Sequence, residues 1–209
     1  MSIPIVRLKP KKDRRARGGH PWVFSNEVDG GVADLPPGGV VDVVSSHGGF
    51  LGRGLANPTS LICVRLLTRN RAADLDAPTF YAARLRECLD LREQLWPGRT
   101  ACRLVNGSAD GLPGLVVDRL GDVLTVQLNT AGMDQRRQVL EQALRQVLEP
   151  RAAVLHDDRR LRELEGLPLE REDWFGEVPD HVDIAELGVT FRVPLRGGPK
   201  QAHHFDQAT

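Results

Sequence analysis

One helical run divides this sequence into two segments that are rich in short strands. The run covers residues 77 to 95 and is closed by Pro97-Gly98. Its apolar positions recur mostly at the spacing of one helix face: Phe80, Leu85, Leu89 and Leu95. At 209 residues the chain is long enough for one or two units with their own cores. We therefore predict two units joined by this helix.

The segment before the helix has the pattern of a small β-barrel. Val40–Val44 and residues 61–67 are rich in β-branched and aliphatic side chains, as strands are. Turn residues break the segment into short pieces: 36–39 and Asn57-Pro58. Gly52 and Gly54 fit bulge or turn positions in a barrel strand, which would leave Arg53 between them exposed.

The segment after the helix mixes strand and helix patterns. Four apolar runs fit strands: residues 103–105, 115–117, 123–128 and 152–155. A run over residues 134–148, followed by Pro150, fits a helix between the third and fourth strands. Residues 182–184 and 189–193 alternate and predict a hairpin. The order predicts an α+β fold, with a β-barrel over residues 1–72, a linking helix and central α+β domain over 73–178, and a hairpin opening the last segment, 179–209.

The first 20 residues are strongly basic, although the whole chain carries no net charge. Seven basic side chains stand there against Asp13 alone: Arg7, Lys9, Lys11, Lys12, Arg14, Arg15 and Arg17. Arginine presents forked, permanently charged donors that fit phosphate, and His20 and Trp22 offer ring faces for unpaired bases. The predicted RNA contacts are Lys11, Arg14, Arg15, Arg17, His20 and Arg53. The alternative is a solvated basic loop, with Trp22 and Phe24 in the barrel core.

The cysteine, aspartate and histidine side chains predict neither a nucleophile nor a metal site. Three cysteines lack C-x-x-C spacing, so we expect small buried apolar groups: Cys63, Cys88 and Cys102. Asp110 and Asp118, in the glycine-rich segment 106–118, favour a structural turn over a metal site. Asp157-Asp158 favours the start of a helix over a carboxylate pair. Adjacent histidines in a tail rarely converge on one ion, so His203-His204 with Asp206 does not predict a metal centre.

No apolar stretch approaches the roughly 20 residues that span a bilayer. The basic start is followed by polar residues where a signal peptide would have an apolar core. We expect a cytoplasmic protein that does not interact with membranes.

Three blocks, in this order and spacing, resemble one family: residues 14–27, residues 52–60 continuing into 64–67, and residues 103–119. The chain is similar to the large-subunit ribosomal RNA cytosine-5 methyltransferases, which use S-adenosylmethionine (SAM). The resemblance implies an N-terminal PUA domain, a central α+β domain and a C-terminal Rossmann-like catalytic domain. It also implies large-subunit ribosomal RNA as partner and SAM as the cofactor of the complete family.

The last residues resemble the start of that catalytic domain. Gly198, Lys200, Asp206 and Gln207 match the family's pattern, whereas residues 201–204 depart from it. The resemblance marks Lys200, Asp206 and Gln207 as remnants of cofactor contacts. Residues 1–209 show neither the glycine-rich βαβ unit nor the catalytic cysteine of the family. We therefore expect the Rossmann-like domain to be missing, no catalytic residue in this chain and no cofactor bound by it.

The expected function is RNA recognition for a ribosomal RNA methyltransferase of the 5-methylcytidine type. A stand-alone, degenerate RNA-binding or regulatory protein is the first alternative, because residues 201–204 depart from the family's pattern. A small-molecule or metal-dependent enzyme built on the 106–118 loop is a weaker one. The oligomeric state stays open, with a dimer among the alternatives.

Overall fold

The first sheet is built from the residues before the long helix. The computed structural model describes residues 2–186 and 188–196. The strands of the first sheet are β1 (Ile5–Arg7), β2 (Trp22–Val23), β3 (Val40–Val44), β4 (Phe50–Ala56) and β5 (Val64–Thr68). Their spatial order is β1-β3-β4-β5-β2, and only the β1–β3 pair is parallel. A one-turn helix α1 (Arg14–Arg17) and a 3-10 turn (Ser25–Glu27) flank β2.

Glycine in β4 is required by close backbone packing. A Cβ atom at Gly54 would lie 2.1 Å from the carbonyl oxygen of Arg65 on β5. The β4–β5 register shifts between Arg53 and Gly54, which is the irregularity expected of a bulge. The prediction that Gly54 occupies a bulge in a strand is confirmed.

The predicted exposure of Arg53 is wrong. Arg53 lies opposite Asp42 on β3 and is only 8% exposed. Its Nε and Nη2 donate to the two Asp42 carboxylate oxygens at 2.7 and 3.2 Å, and its Nη1 donates to the Ala73 carbonyl at 2.8 Å. A guanidinium with two buried bonds to Asp42 and a third bond to Ala73 is unavailable to phosphate, so Arg53 holds strands together. Asp42 is distant in sequence, which is why the local glycine pattern did not reveal the pair.

The second sheet follows helix α2 (Pro78–Leu95). Its elements are β6 (Ala101–Asn106), a 3-10 turn (Gly107–Asp110), β7 (Leu115–Leu120), β8 (Val123–Leu128), α3 (Ala131–Asp134), α4 (Arg137–Leu148), β9 (Ala152–His156), α5 (Arg159–Leu164) and β10 (Arg171–Gly176). The spatial order is β10-β9-β8-β7-β6. The β8–β9 pair is parallel and is joined by α3 and α4, whereas the other pairs are antiparallel.

Helices α2 and α4 pack together over this sheet. Leu85 of α2 and Leu140 and Leu144 of α4 are fully buried in one cluster with the strand residues. Every residue of β8 is buried, as expected of a central strand covered on both faces. The predicted helices over residues 77–95 and 134–148 are confirmed, although the second is split into α3 and α4.

A hairpin closes the described part of the chain. Strands β11 (His181–Glu186) and β12 (Val189–Pro194) are antiparallel, with Ile184 opposite Phe191. Ile184 and Val193 are buried in a cluster with Leu120 and Val154 of the second sheet. The predicted hairpin is confirmed. Strands β1, β2 and β10 were not predicted, since they are short or strongly polar.

A buried arginine organises the end of the second sheet. Arg162 of α5 is fully buried and contacts Asp134 at 2.7 Å and Asp157 at 3.1 Å. Asp158 caps α5 by accepting a hydrogen bond from the Leu161 amide at 2.9 Å. The prediction that Asp157-Asp158 starts a helix is confirmed.

One carboxylate joins the two sheets. Glu165 follows α5, and its Oε2 accepts from the Asn57 side-chain amide at 2.8 Å and from the Ala131 backbone amide at 3.3 Å. Its Oε1 lies 2.8 Å from Arg65 Nη2. Asn57 and Arg65 belong to the first unit, whereas Ala131 begins α3. We call this arrangement the Glu165 latch.

Close packing surrounds the latch. A Cβ atom at Gly132 would lie 2.6 Å from the Leu55 Cβ atom, so the two units touch with no room for a larger side chain. Arg136, also buried, donates to the carbonyl oxygens of Gly38 at 2.7 Å and Leu75 at 3.0 Å. The relative position of the sheets is therefore fixed by both polar and apolar contacts.

Glu165→Ala should lower the free energy of unfolding by about 3 kcal/mol, because it leaves Arg65 without its buried partner. Urea unfolding followed by circular dichroism measures the change. The matched control is Glu163→Ala, an exposed neighbour on α5, which should stay within about 0.5 kcal/mol of the unaltered chain. Equal stability of both variants would contradict the latch.

Protonation of the Asp157 carboxyl group should stabilise the folded state in mild acid. Burial raises its pKa to about 6, against the hydrogen bond from the Leu128 amide and the charge of Arg162. The folded state therefore holds the proton more tightly than the unfolded chain, whose pKa is about 3.9. The stability contributed by this proton is complete below about pH 4 and is lost as the pH rises through about 6.

Asp157→Asn keeps an acceptor for Leu128 and removes this titration. The unfolding free energy of the unaltered chain minus that of the variant should fall between about pH 4 and pH 6 and be constant above about pH 7. A difference that is flat over the whole range would show that Asp157 does not titrate there.

Candidate nucleic-acid interface

The basic segment lies on an exposed turn beside the first sheet. Lys11, Lys12 and Arg14 are exposed, and within residues 2–186 and 188–196 their side chains have no hydrogen-bond or ion-pair partner. These three side chains lie within four positions of the sequence, and their charges and hydrogen-bond donors are all available to an external anion.

Two further arginines of this segment are anchored. Arg15 Nη2 lies 2.7 Å from Glu27 Oε1, and its guanidinium carbon stands 4.6 Å from the Phe24 ring centroid. Arg17 Nε donates to Asp13 Oδ2 at 2.7 Å, and this bond lowers the pKa of Asp13. Both arginines remain solvent-exposed, so each keeps free donors in a defined position. The structure thus brings four predicted RNA contacts together on one turn: Lys11, Arg14, Arg15 and Arg17.

A cleft of about 390 Å³ opens next to α1. Arg69, which donates to the Arg17 carbonyl at 3.0 Å, lies on one side, and Arg84 of α2 lies on another. His20 lines the same cleft, so this predicted contact joins the basic surface. We call this feature the basic cleft. Sequence reasoning missed Arg69 and Arg84 because they reach the cleft only through the packing of β5 and α2.

Trp22 lies in the seam between the two units and not in the barrel core. It is half-buried, and its Nε1 donates to Ser108 Oγ at 3.0 Å, across 86 residues of sequence. Its ring meets His20 and Phe24 edge to face, with centroids 5.4 and 6.5 Å away. The Trp22 amide donates to His20 Nδ1 at 3.1 Å, which orients that imidazole. The alternative that placed Trp22 and Phe24 in the barrel core is not observed, since both are partly exposed.

A second, apolar cleft of about 410 Å³ is lined by Trp22 and runs along the seam. Its walls include Phe24 and three exposed leucines, Leu61, Leu161 and Leu164. Ser108 lines both clefts. We call this feature the seam groove.

The cysteines and the 106–118 loop have structural roles. Burial raises the pKa of Cys63 and of Cys88 to about 11, and it also raises the pKa of Cys102. These thiols therefore stay protonated near neutral pH, as expected for small apolar groups. Asp110 pairs with Arg92 at 2.6 Å and Asp118 with Arg103 at 2.8 Å, which occupies both carboxylates. No group of three metal-binding side chains occurs in the described residues.

At the β8–α3 turn a strand of a parallel pair leads directly into a helix, which is the arrangement that holds SAM in Rossmann-like folds. Its glycine, Gly132, faces Leu55 instead, with no space for a Cβ atom. The Ala131 amide at the helix start is already bonded to Glu165. The turn therefore does not fit the cofactor, and no step through SAM follows from it. The predicted cofactor contacts Lys200, Asp206 and Gln207 lie outside the described residues.

This chain is similar to a known type of domain and to known proteins. Residues 6–69 match the PUA-like domain. The chain is 35% identical over 211 residues to the ribosomal RNA large subunit methyltransferase I of Cronobacter sakazakii, and 35% identical to that of Salmonella enteritidis. These alignments cover 99% and 98% of this chain, and 52% and 51% of the relatives. The chain thus spans about half the length of the curated relatives it matches.

Solved structures show the same fold at low identity. A Streptococcus mutans protein assigned as a SAM-dependent methyltransferase superposes with a TM-score of 0.80 at 20% identity, over 99% of this chain and 52% of that one. A second protein assigned as a methyltransferase, in complex with SAH, gives a TM-score of 0.79 at 20% identity, over 100% of this chain and 52% of that one.

These superpositions correct the expected fold class. We expected an α+β chain from which the methyltransferase fold is missing, but nearly every residue has a counterpart in a methyltransferase structure. We had equated the methyltransferase fold with its glycine-rich βαβ unit. The two structures that superpose on this chain also include the two sheets described above. The domain boundaries at residues 72 and 178 stay predictions. Over the described residues, none of the helices combines the length and apolarity needed to cross a bilayer.

Trp22→Ala should lower the free energy of unfolding by about 2 kcal/mol, because it removes the seam hydrogen bond and two ring contacts from a half-buried position. Thermal unfolding measures the change. The control is Trp96→Ala at the end of α2, whose indole is 46% exposed and which should lose clearly less. Equal losses of stability in the two variants would show that the seam contacts of Trp22 do not stabilise the fold.

Proposed function

We propose that this chain recognises large-subunit ribosomal RNA for a SAM-dependent methyltransferase, with the basic segment and the basic cleft as the RNA-binding surface. The observation that carries the proposal is the concentration of exposed cations around α1 in a chain of zero net charge. Similarity over 99% of this chain to one half of a large-subunit ribosomal RNA methyltransferase supports the choice of RNA.

The geometry suits a polyanion with a defined shape. Arg15 and Arg17 are held by Glu27 and Asp13, so they lose little rotamer freedom when they contact phosphate. Lys11 and Arg14 are free and can follow an irregular backbone. Anchored donors that fix orientation, together with mobile ones that add charge, are the combination expected for structured RNA.

The chemistry served by this recognition is methyl transfer from SAM to ribosomal RNA. Following the resemblance of residues 14–27, 52–60 with 64–67, and 103–119, we assign the reaction to C5 of a cytosine. SAM, when bound in such an enzyme, supplies the methyl group. The cations and aromatic rings of this chain contribute the binding and orientation of the RNA.

Two other functions are compatible with the sequence. A stand-alone RNA-binding or regulatory protein would use the same surface, and only an assay of methyl transfer separates the two. A metal-dependent enzyme on the 106–118 loop is disfavoured, since Asp110 and Asp118 are neutralised by Arg92 and Arg103.

The proposal is tested by the salt dependence of RNA affinity. Lys12→Ala, Arg14→Ala and Arg17→Ala combined should flatten the log-log slope of affinity against salt by about two units, because each lost phosphate contact removes about 0.7 to 0.9. The probe is an unmodified fragment of large-subunit ribosomal RNA, and fluorescence anisotropy gives the dissociation constants.

The control removes three exposed arginines elsewhere: Arg86, Arg151 and Arg192. It has the same change in net charge and should keep a slope close to that of the unaltered chain. If both triple variants shift the slope equally, the binding is a property of net charge and not of the basic segment, which contradicts the proposal.

A further inference from the structure

We infer that the seam groove is a binding site for an unpaired RNA base, held next to the phosphates that occupy the basic cleft. The inference rests on the proposed function and adds to it a site for a specific chemical group. It concerns the cleft of about 410 Å³ between β2, the 107–110 turn and α5.

The walls of the groove suit a flat aromatic ligand. Trp22 and Phe24 line the groove together with Leu61 and Leu164, which are 68% and 65% exposed although they are apolar. Exposed apolar side chains that face aromatic rings mark a binding surface when they form one concave patch. A base that enters the groove would gain ring stacking and cover the leucines.

The groove also offers polar groups for the edge of a base. The exposed side-chain amide of Asn106 and the Ser60 hydroxyl have no hydrogen-bond partner among the described residues, whereas the Asn106 backbone amide donates to Asp110 Oδ2 at 2.6 Å. An amide presents one acceptor and two donors, which is the complement of a base edge. The indole nitrogen of Trp22, in contrast, is already satisfied by Ser108, so its ring is available for packing alone.

The position of the groove favours RNA over a peptide or a second copy of the chain. Ser108 lines both the seam groove and the basic cleft, and His20 of the basic cleft touches the Trp22 ring. A strand whose phosphates lie against Arg69 and Lys12 could therefore turn a base into the groove without leaving the surface. Single-stranded RNA is bound by this combination of a cationic track and an adjacent aromatic platform.

The test replaces the exposed leucines by a neutral polar residue. Leu61→Gln combined with Leu164→Gln should weaken binding of the unmodified large-subunit RNA fragment at least about fivefold, as expected for loss of one stacked base. The salt slope should not change, because a base contact releases no counterions. The thermal midpoint should also be unchanged, since both side chains are mostly exposed.

The matched control is Leu91→Gln combined with Leu95→Gln, two exposed leucines of α2 away from the groove, which should bind as the unaltered chain does. As a direct readout, a chain with Trp96→Phe and Trp174→Phe keeps Trp22 as its single tryptophan. Its fluorescence should be quenched when the RNA fragment is added, and an unchanged emission at saturating RNA would overturn the inference.

The outcomes separate the two proposals. If the groove variant binds RNA normally while the Lys12, Arg14 and Arg17 variant flattens the salt slope, the base site is wrong and the proposed function stands. If the unaltered chain shows no salt-dependent RNA binding, both fail. If the groove variant changes the sedimentation of the chain but not its RNA affinity, the groove is an interface between copies, and the base site is again wrong.

Discussion

The arrangement of the whole molecule depends on the Glu165 latch. A single carboxylate, almost completely buried, accepts bonds from Asn57 and Ala131 and pairs with Arg65. Burying a charge is costly unless it is paired and hydrogen-bonded, so this group holds its neighbours in one arrangement. Because the partners come from both units, the latch fixes the first sheet against α3, and the contact of Gly132 with Leu55 leaves no room for sliding.

The functional surface is a consequence of that fixed seam. Trp22 reaches Ser108 only when the two units are in register, and Ser108 is where the basic cleft meets the seam groove. Cations from the first unit, Arg84 from α2 and the 107–110 turn then surround one path along the surface. A ligand that follows this path would touch both units, so rigidity at Glu165 preorganises the site and lowers the entropy lost on binding.

Features set by local patterns could be predicted from the sequence, whereas features set by distant contacts could not. The helix over residues 77–95, the strand Val123–Leu128 and the hairpin near residues 182–193 follow from periodicity and turn residues, and all three are observed. Arg53 was misjudged because its partner, Asp42, lies on another strand. The position of Trp22 in the seam was not predicted because its hydrogen bond crosses 86 residues. Arg69 and Arg84 gave no signal, since only tertiary packing brings them to the basic cleft.

The central claim is that RNA lies against α1 and the seam. Photo-crosslinking of the chain to unmodified large-subunit ribosomal RNA, followed by mass spectrometry of the crosslinked peptides, tests it most directly. The account predicts crosslinks within residues 11–24 and near Ser108, at the meeting point of the two clefts. Crosslinks confined to α4 or to the β11–β12 hairpin, with residues 11–24 unmodified, would contradict it.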